Sequence, residues 1–335
     1  MAGKRDQPER KTRISLVLGS GGARGYAHIG VIKELEAQGY EIGSIAGSSM
    51  GALIGGVYAA GKLDAYRDWV SPLERMDVFR LLDWTLSGGG FIKGNRIIDA
   101  LRDLVGATDI EDLPIPYTAV AVDIDAQREV WFSSGPLFDA IRASIAIPTL
   151  FRPHHYQGRT LVDGGLLNPL PVAPTLRDDT DYTLAVDVNA QPEPGLDGNS
   201  DENESPSDEP DKPSLIDRML PSRERSKGPL PDNADYTQKL THFIANLQSK
   251  TDKVAEAVPE PGIFDLFARS LDTIQGTITH LKLAAQPPDL LIGIPRNASA
   301  FYEFHRAEYL IELGRQRTRE ALDRWQPRPR RHPQG

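Results

Sequence analysis

The five residues Gly47-Ser48-Ser49-Met50-Gly51 constrain this chain more than any other stretch. They read G-x-S-x-G between residues 41–45, which can approach as a short buried strand, and small and apolar residues over 50–60, suited to a packed helix. A serine at such a junction sits on a sharp turn with its hydroxyl exposed, and glycines on either side let neighbouring backbone come close. The helix N-terminus behind it supplies free N–H groups and a partial positive charge, both favourable to a developing oxyanion. An ordinary tight turn opening a core helix fits the same five residues, so their meaning depends on two other segments.

The first is Ile14-Ser-Leu-Val-Leu18 running into Gly19-Ser20-Gly21-Gly22-Ala23-Arg24-Gly25 and then into a helical pattern over 26–38. This is a strand–turn–helix corner whose consecutive N–H groups face an anion, either a phosphate or an oxyanion. A dinucleotide fingerprint started at Gly19 needs glycine at position 24, where the chain has Arg24. Started one residue later, Gly22 and Gly25 fall correctly but Ser20 replaces the first glycine. No Gly-Lys-Ser/Thr follows, so the Walker pattern fails as well. The second segment is Asp163-Gly164-Gly165 after Arg159-Thr-Leu-Val162. It reads either as a common Asx turn or as a carboxylate held at a strand end with little bulk around it. Ser49 and Asp163 are 114 residues apart, so only the fold can bring them together.

A serine hydroxyl is a poor nucleophile until a neighbour accepts its proton. Histidine usually does so, and the chain has seven. His28 falls on the first helix, where packing is its simpler role. His154 and His155 precede the Asp163 strand, and His242, His280 or His305 would suit the Ser…Asp…His order of α/β hydrolases. None sits in a glycine or turn context that marks an active-site loop, so the base is left between a histidine and a carboxylate.

Taken together and in this order, the three segments resemble the patatin-like phospholipase family, in particular its bacterial RssA-type branch related to neuropathy target esterase. The resemblance covers Gly19-Ser-Gly-Gly-Ala-Arg-Gly-Tyr-Ala-His-Ile-Gly30, Ala46-Gly-Ser-Ser-Met-Gly-Ala52, and the block from Ile141-Arg-Ala-Ser-Ile-Ala-Ile-Pro148 through Leu161-Val-Asp-Gly-Gly-Leu-Leu-Asn-Pro-Leu-Pro171. It spans about residues 13–190, with a weaker echo after 262. What it implies is a Ser–Asp dyad, with Ser49 the nucleophile and Asp163 the proton acceptor. It also implies an oxyanion hole from Gly21, Gly22 and Ala23 beside the basic Arg24, with Gly25, Gly47, Gly51, Gly164 and Gly165 as motif glycines. Ser20 departs from the glycine many members carry, but it leaves the oxyanion glycines intact. The implied fold is a three-layer α/β/α with a mostly parallel central sheet, distant from the α/β-hydrolase fold. The implied activity is hydrolysis of a lipid ester, with no cofactor and no metal. A regulatory protein that holds lipid in the same pocket without turnover is the alternative.

Periodicity agrees with an α/β chain. Strands are expected at 14–18, 42–46, 117–123, 129–133, 160–162, 182–187 and 290–294, and helices at 26–38, 50–60, 64–71, 95–105, 137–143, 262–285 and 301–325. This gives a polar N-terminal tail over 1–12, a catalytic core over 13–190, and a helix–strand–helix over 262–325 that completes the same domain. Between them, 191–261 reads as an insertion. Residues 196–211 hold seven acidic residues and no basic one, too polar to order by burial. A small apolar patch at 215–220 with basic neighbours reads as a flexible linker or as a lid that touches a membrane. A basic tail closes the chain at 326–335 and suits anionic headgroups.

A net charge of −9 argues against nucleic acid as a partner. With no cysteine, disulfides, thiolate metal sites and a cysteine nucleophile are excluded, and a reducing cytoplasm is the natural setting. The first 13 residues lack the apolar core of a secretory signal, and the most apolar stretch, 45–60, is shorter than the roughly 20 residues a bilayer span needs. The expected location is cytoplasmic, with peripheral membrane contact.

Overall fold

The computed structural model describes residues 10–75, 77–78, 83, 90–196 and 263–327. Most of the N-terminal tail, most of the 191–261 insertion including its apolar patch, His242, and all but the start of the basic tail lie outside these residues. Contacts divide the chain into a unit of 1–198 with 267–335 and a second unit of 199–266.

In chain order the elements are β1 (Arg13–Leu18), a 3-10 turn (Gly22–Tyr26), α1 (Ala27–Ala37), β2 (Glu41–Ser48), α2 (Met50–Ala59), α3 (Leu63–Val70), β3 (Gly90–Ile92), α4 (Asn95–Val105), β4 (Tyr117–Asp123) and β5 (Arg128–Phe132). There follow α5 (Leu137–Ser144), β6 (Thr149–Phe151), β7 (His154–Tyr156), β8 (Arg159–Asp163), β9 (Tyr182–Ala190), α6 (Ile263–Ala285), β10 (Leu290–Pro295) and α7 (Ala307–Arg324).

The main sheet runs β10-β9-β1-β2-β4-β8-β7, with β5 also paired to β4. From β10 to β4 all neighbours are parallel, whereas β5, β8 and β7 join antiparallel. The central strands read as continuous apolar runs because both faces are covered. Ile14, Leu16 and Leu18 of β1 pack under α1, α2, α5 and α7, while Val17 with Ala185 of β9 packs against Leu170, Val172 and Leu283 of α6. The result is a helix–sheet–helix arrangement in three layers, with helices on both faces of a mostly parallel sheet.

The strand order has a physical consequence at β1. From there the chain builds outward through β2 and β4 on one side and through β9 and β10 on the other. The connection leaving β1 goes to α1 on one face, and α6, on the connection leading into β10, packs on the opposite face. A crevice opens at such a switch point, outside the C-terminal ends of the strands, and ligands bind there in open α/β sheets. The glycine-rich turn after β1 stands at this crevice.

The differences from the sequence reading are local. The helix expected from 26 begins at Ala27, with Tyr26 closing a 3-10 turn that starts at Gly22. The helix expected from 301 begins at Ala307, because the Glu303 carboxylate accepts from the Ala300 N–H and the Ser299 hydroxyl and holds that segment in a turn. The short β3, β6 and β7 were not expected. Pro148 and Pro153 bracket β6 so closely that no two-residue period can develop.

Candidate active site

β4 measures out the site. Along one edge it pairs Ser48 of β2 with Val120, and at the next position it pairs Asp163 of β8 with Ala121. β5 occupies the other edge over 119–123, so β2 and β8 must meet end to end on the same edge. The strand carrying the serine and the strand carrying the aspartate therefore point their C-terminal ends at each other.

Just past that meeting point the Ser49 hydroxyl donates to Asp163 Oδ2 at 2.6 Å. Both side chains are buried, Ser49 at 2% and Asp163 at 3% exposure. Ser49 has φ 55 and ψ −124, a backbone conformation that costs a non-glycine residue about 1–3 kcal/mol and turns the strand sharply into α2. Its amide is satisfied by a side chain, the Ser49 N–H donating to Ser144 Oγ at 2.9 Å. Asp163 Oδ1 accepts the Gly165 N–H at 2.7 Å, and the Asp163 N–H donates to the Ala146 carbonyl at 2.9 Å. Burial pushes the Asp163 carboxyl up to about 7, against the opposing pull of the Ser49 hydroxyl and the Gly165 amide. Ser48, the neighbouring hydroxyl, is fully buried under Gly164.

The motif glycines are where these pieces touch. A Cβ on Gly51 would lie 2.1 Å from the Leu18 carbonyl oxygen, and one on Gly164 would lie 2.1 Å from that of Val120. Gly47 abuts the Gly51 backbone in the same way, whereas Gly25 and Gly165 abut the side chains of Met50 and Ser20. The glycine loop, the serine turn and the aspartate turn are thus packed together with no room for a side chain at these glycines.

Among the four residues expected to form an oxyanion hole, the structure distinguishes three situations. The Ala23 N–H already donates to the Phe301 carbonyl at 2.9 Å, which removes it from the set of open donors. Among the described residues, the Gly21 and Gly22 N–H groups have no acceptor. Arg24, 1% exposed, is turned inward: Nε donates to the Gly21 carbonyl at 3.2 Å, Nη1 to the Arg296 carbonyl at 3.0 Å, and Nη2 to Asp272 of α6 at 2.7 Å. Because C=O and N–H point oppositely across a trans peptide, holding the Gly21 carbonyl fixes the direction of the Gly22 N–H. Arg24 serves the loop by gripping its backbone.

The described histidines are engaged elsewhere. His28 is buried and donates through Nε2 to the Gly19 carbonyl at 2.8 Å, and burial lowers it to about 4, which keeps it neutral. His154 pairs with Asp139 at 2.9 Å and lines a separate groove with Asn95 and Arg142. His280 bonds the Gly276 carbonyl and His305 meets Arg75. His155 is exposed on β7. Asp163 is the group in hydrogen-bond contact with the Ser49 hydroxyl.

Residues that sequence reasoning did not single out complete the surround. Ser144 supports the Ser49 amide, Asp272 pairs with Arg24, and Gln275 and Asn189 bracket Ser20, the Ser20 hydroxyl donating to Gln275 at 3.3 Å and Asn189 Nδ2 to the Ser20 carbonyl at 2.8 Å. The one available signal was for Ser144, which falls inside the 141–148 block already noted.

Comparison with known proteins places the chain in a family. The family model described as Patatin-like phospholipase matches residues 16–176. An uncharacterized NTE family protein of Mycobacterium tuberculosis is 41% identical over 330 residues, covering 93% of this chain and 91% of its own. A second from the same organism is 29% identical over 290 residues, 83% of this chain and 47% of its own. A fungal protein named lysophospholipase NTE1, from Debaryomyces hansenii, is 34% identical over 185 residues, 53% of this chain and 12% of its own.

Proposed function

The chain belongs to the NTE family through a patatin-like phospholipase domain, and from that premise we propose that it hydrolyses lipid carboxylic esters with Ser49 as nucleophile and Asp163 as base. The family points to lipid esterase or phospholipase activity, and the assignment of roles is inferred from the site. The observation that carries it is the 2.6 Å hydrogen bond from the Ser49 hydroxyl to a buried carboxyl pushed up to about 7. A general base works best when its pKa lies near the operating pH, and an ordinary exposed aspartate is too weak a base for this.

The reaction follows in two halves. Asp163 takes the Ser49 proton as Oγ attacks the ester carbonyl, and the Gly21 and Gly22 N–H groups, with the Met50 N–H at the start of α2, which has no acceptor among the described residues, receive the oxyanion. Collapse expels the alcohol, which leaves with the proton held by Asp163, and the acyl group stays on Ser49. Water then gives a proton to Asp163 and attacks the acyl-enzyme, and the proton returns to Ser49 as the fatty acid departs. No cofactor enters these steps. The name lysophospholipase on the fungal relative makes a single-chain lysophospholipid the first substrate to test.

Fluorophosphonate labelling with hydrolysis of a short-chain p-nitrophenyl ester tests the reading. Labelling of the wild type that disappears in Ser49→Ala, with turnover falling by several orders of magnitude, is the expected result. A wild type that neither labels nor turns over leaves the alternative, a protein that binds lipid without cleaving it.

A further inference from the structure

The two reacting groups come from different strands, yet their main chains are tied to one short turn. We propose that the tripeptide Ser144-Ile145-Ala146 at the end of α5 is a jig that sets the Ser49–Asp163 separation, with Ser144 a positioning residue for the nucleophile; this rests on the hydrolase reading above.

The geometry is direct. Ser144 Oγ accepts the Ser49 N–H at 2.9 Å and donates its own proton to the Val120 carbonyl at 2.6 Å. Val120 is the β4 residue opposite Ser48, the last position at which β2 is held in register. One residue later the strand ladder ends and Ser49 adopts its positive φ, so the amide that a sheet would have satisfied is satisfied by the Ser144 hydroxyl instead. Two residues on, the Ala146 carbonyl accepts the Asp163 N–H at 2.9 Å. Ser144 thus holds one reacting residue and Ala146 the other, with a single residue between them.

The turn is stiff enough for that role. The Ile145 N–H donates to the Ile141 carbonyl at 3.0 Å and the Ile147 N–H to the Ile145 carbonyl at 2.9 Å. Ser144 and Ala146 are fully buried and Ile145 is 6% exposed. A hydroxyl is the side chain this site calls for, since it accepts from one amide and donates to one carbonyl at once. With alanine, the Ser49 amide and the Val120 carbonyl both lose their buried partner, and the strained turn loses the bond that stabilises it. A displacement of order 1 Å in such a pair lowers the rate about a hundredfold.

The test compares Ser144→Ala, Ser144→Thr and Ser44→Ala with the wild type, on the full chain and well below each melting temperature. Ser44 lies in β2 far from the turn, where its hydroxyl bonds Ser15 and Asp178, and so controls for loss of a buried hydroxyl alone. For Ser144→Ala the expected result is a fall in kcat and in fluorophosphonate labelling rate of about tenfold to a hundredfold, with KM within about twofold. The acidic limb of the kcat/KM profile should also move to higher pH, because a loosened Ser49 hydroxyl no longer lowers the Asp163 pKa. Ser144→Thr, which keeps the hydroxyl, should recover both readouts, and Ser44→Ala should lose stability with kcat unchanged. Should Ser144→Ala fail to fold, Ser144→Cys replaces it, a near-isosteric side chain with a weak donor and acceptor. A folded Ser144→Ala or Ser144→Cys that labels at the wild-type rate with an unmoved limb overturns the jig while leaving the hydrolase standing. A wild type that does not label brings down the hydrolase reading itself, and the jig with it.

Discussion

Replacing Asp163 with asparagine should abolish turnover and at the same time make the protein more stable at alkaline pH. The carboxyl is 3% exposed, and burial outweighs its two hydrogen bonds to hold it at about 7, whereas the unfolded chain titrates near the ordinary 3.8. A group whose folded pKa is raised favours the folded state while protonated, and that advantage disappears as pH climbs through the folded pKa. Below about pH 4 the group is protonated in both states and does not discriminate; between about 4 and 7 the unfolded chain ionises first and the native state falls behind. Once both are ionised the difference is about 4 kcal/mol. Asparagine is nearly isosteric: its carbonyl oxygen can accept the Gly165 N–H and its amide can donate to Ser49 Oγ, so little else changes. Any fixed difference in packing or hydrogen bonding is independent of pH, which makes the growth of the gap the diagnostic quantity. Chemical denaturation of both proteins from pH 4.5 to 8.5 should show the stability difference, Asp163→Asn minus wild type, rising by about 3–4 kcal/mol, or roughly 10 °C in Tm for a unit of this size. A difference that stays flat across that range would refute the buried, charge-burdened carboxylate on which the proposed chemistry depends.

Other expectations follow from the same geometry. Because the ionised carboxylate is the active base, kcat/KM on a soluble ester should rise with pH through about 7, opposite to the trend in stability; a limb near pH 4 would mean an ordinary aspartate. Arg24→Ala should lower kcat about a hundredfold by freeing the Gly21 carbonyl, and should destabilise the fold by about 3 kcal/mol by leaving Asp272 without its partner; near-normal kcat in the folded variant would show that the loop holds its shape unaided. His154→Ala and His280→Ala should keep turnover within a few-fold, measured on the same ester, since their ring nitrogens bond Asp139 and the Gly276 carbonyl; a folded histidine variant as inactive as Ser49→Ala would replace the dyad with a triad.

The alternation of strands and helices, the glycine loop after β1, the serine turn before α2 and the aspartate turn after β8 were all legible in the chain, because each is a local event. A glycine where backbone must approach backbone, a β-branched run that ends in a turn, and small residues that open a packed helix leave marks within a few residues of themselves. The resemblance carried by those segments named the same family that the relatives share. Distance in sequence hid the rest. That Ser49 and Asp163, 114 residues apart, meet at 2.6 Å depends on β2 and β8 sharing one edge of β4, and the antiparallel entry of β8 has no signature in its five residues. Which loop amides stay open was decided by Phe301, whose carbonyl takes the Ala23 N–H, and by Asp272, which draws Arg24 inward, both more than 240 residues downstream. The sequence by itself determined which residue types stand at the turns, because turn chemistry is local. The tertiary structure alone decided what each turn faces, how deeply Asp163 is buried and therefore how basic it is, since burial and contact are properties of the assembled layers and of no single segment.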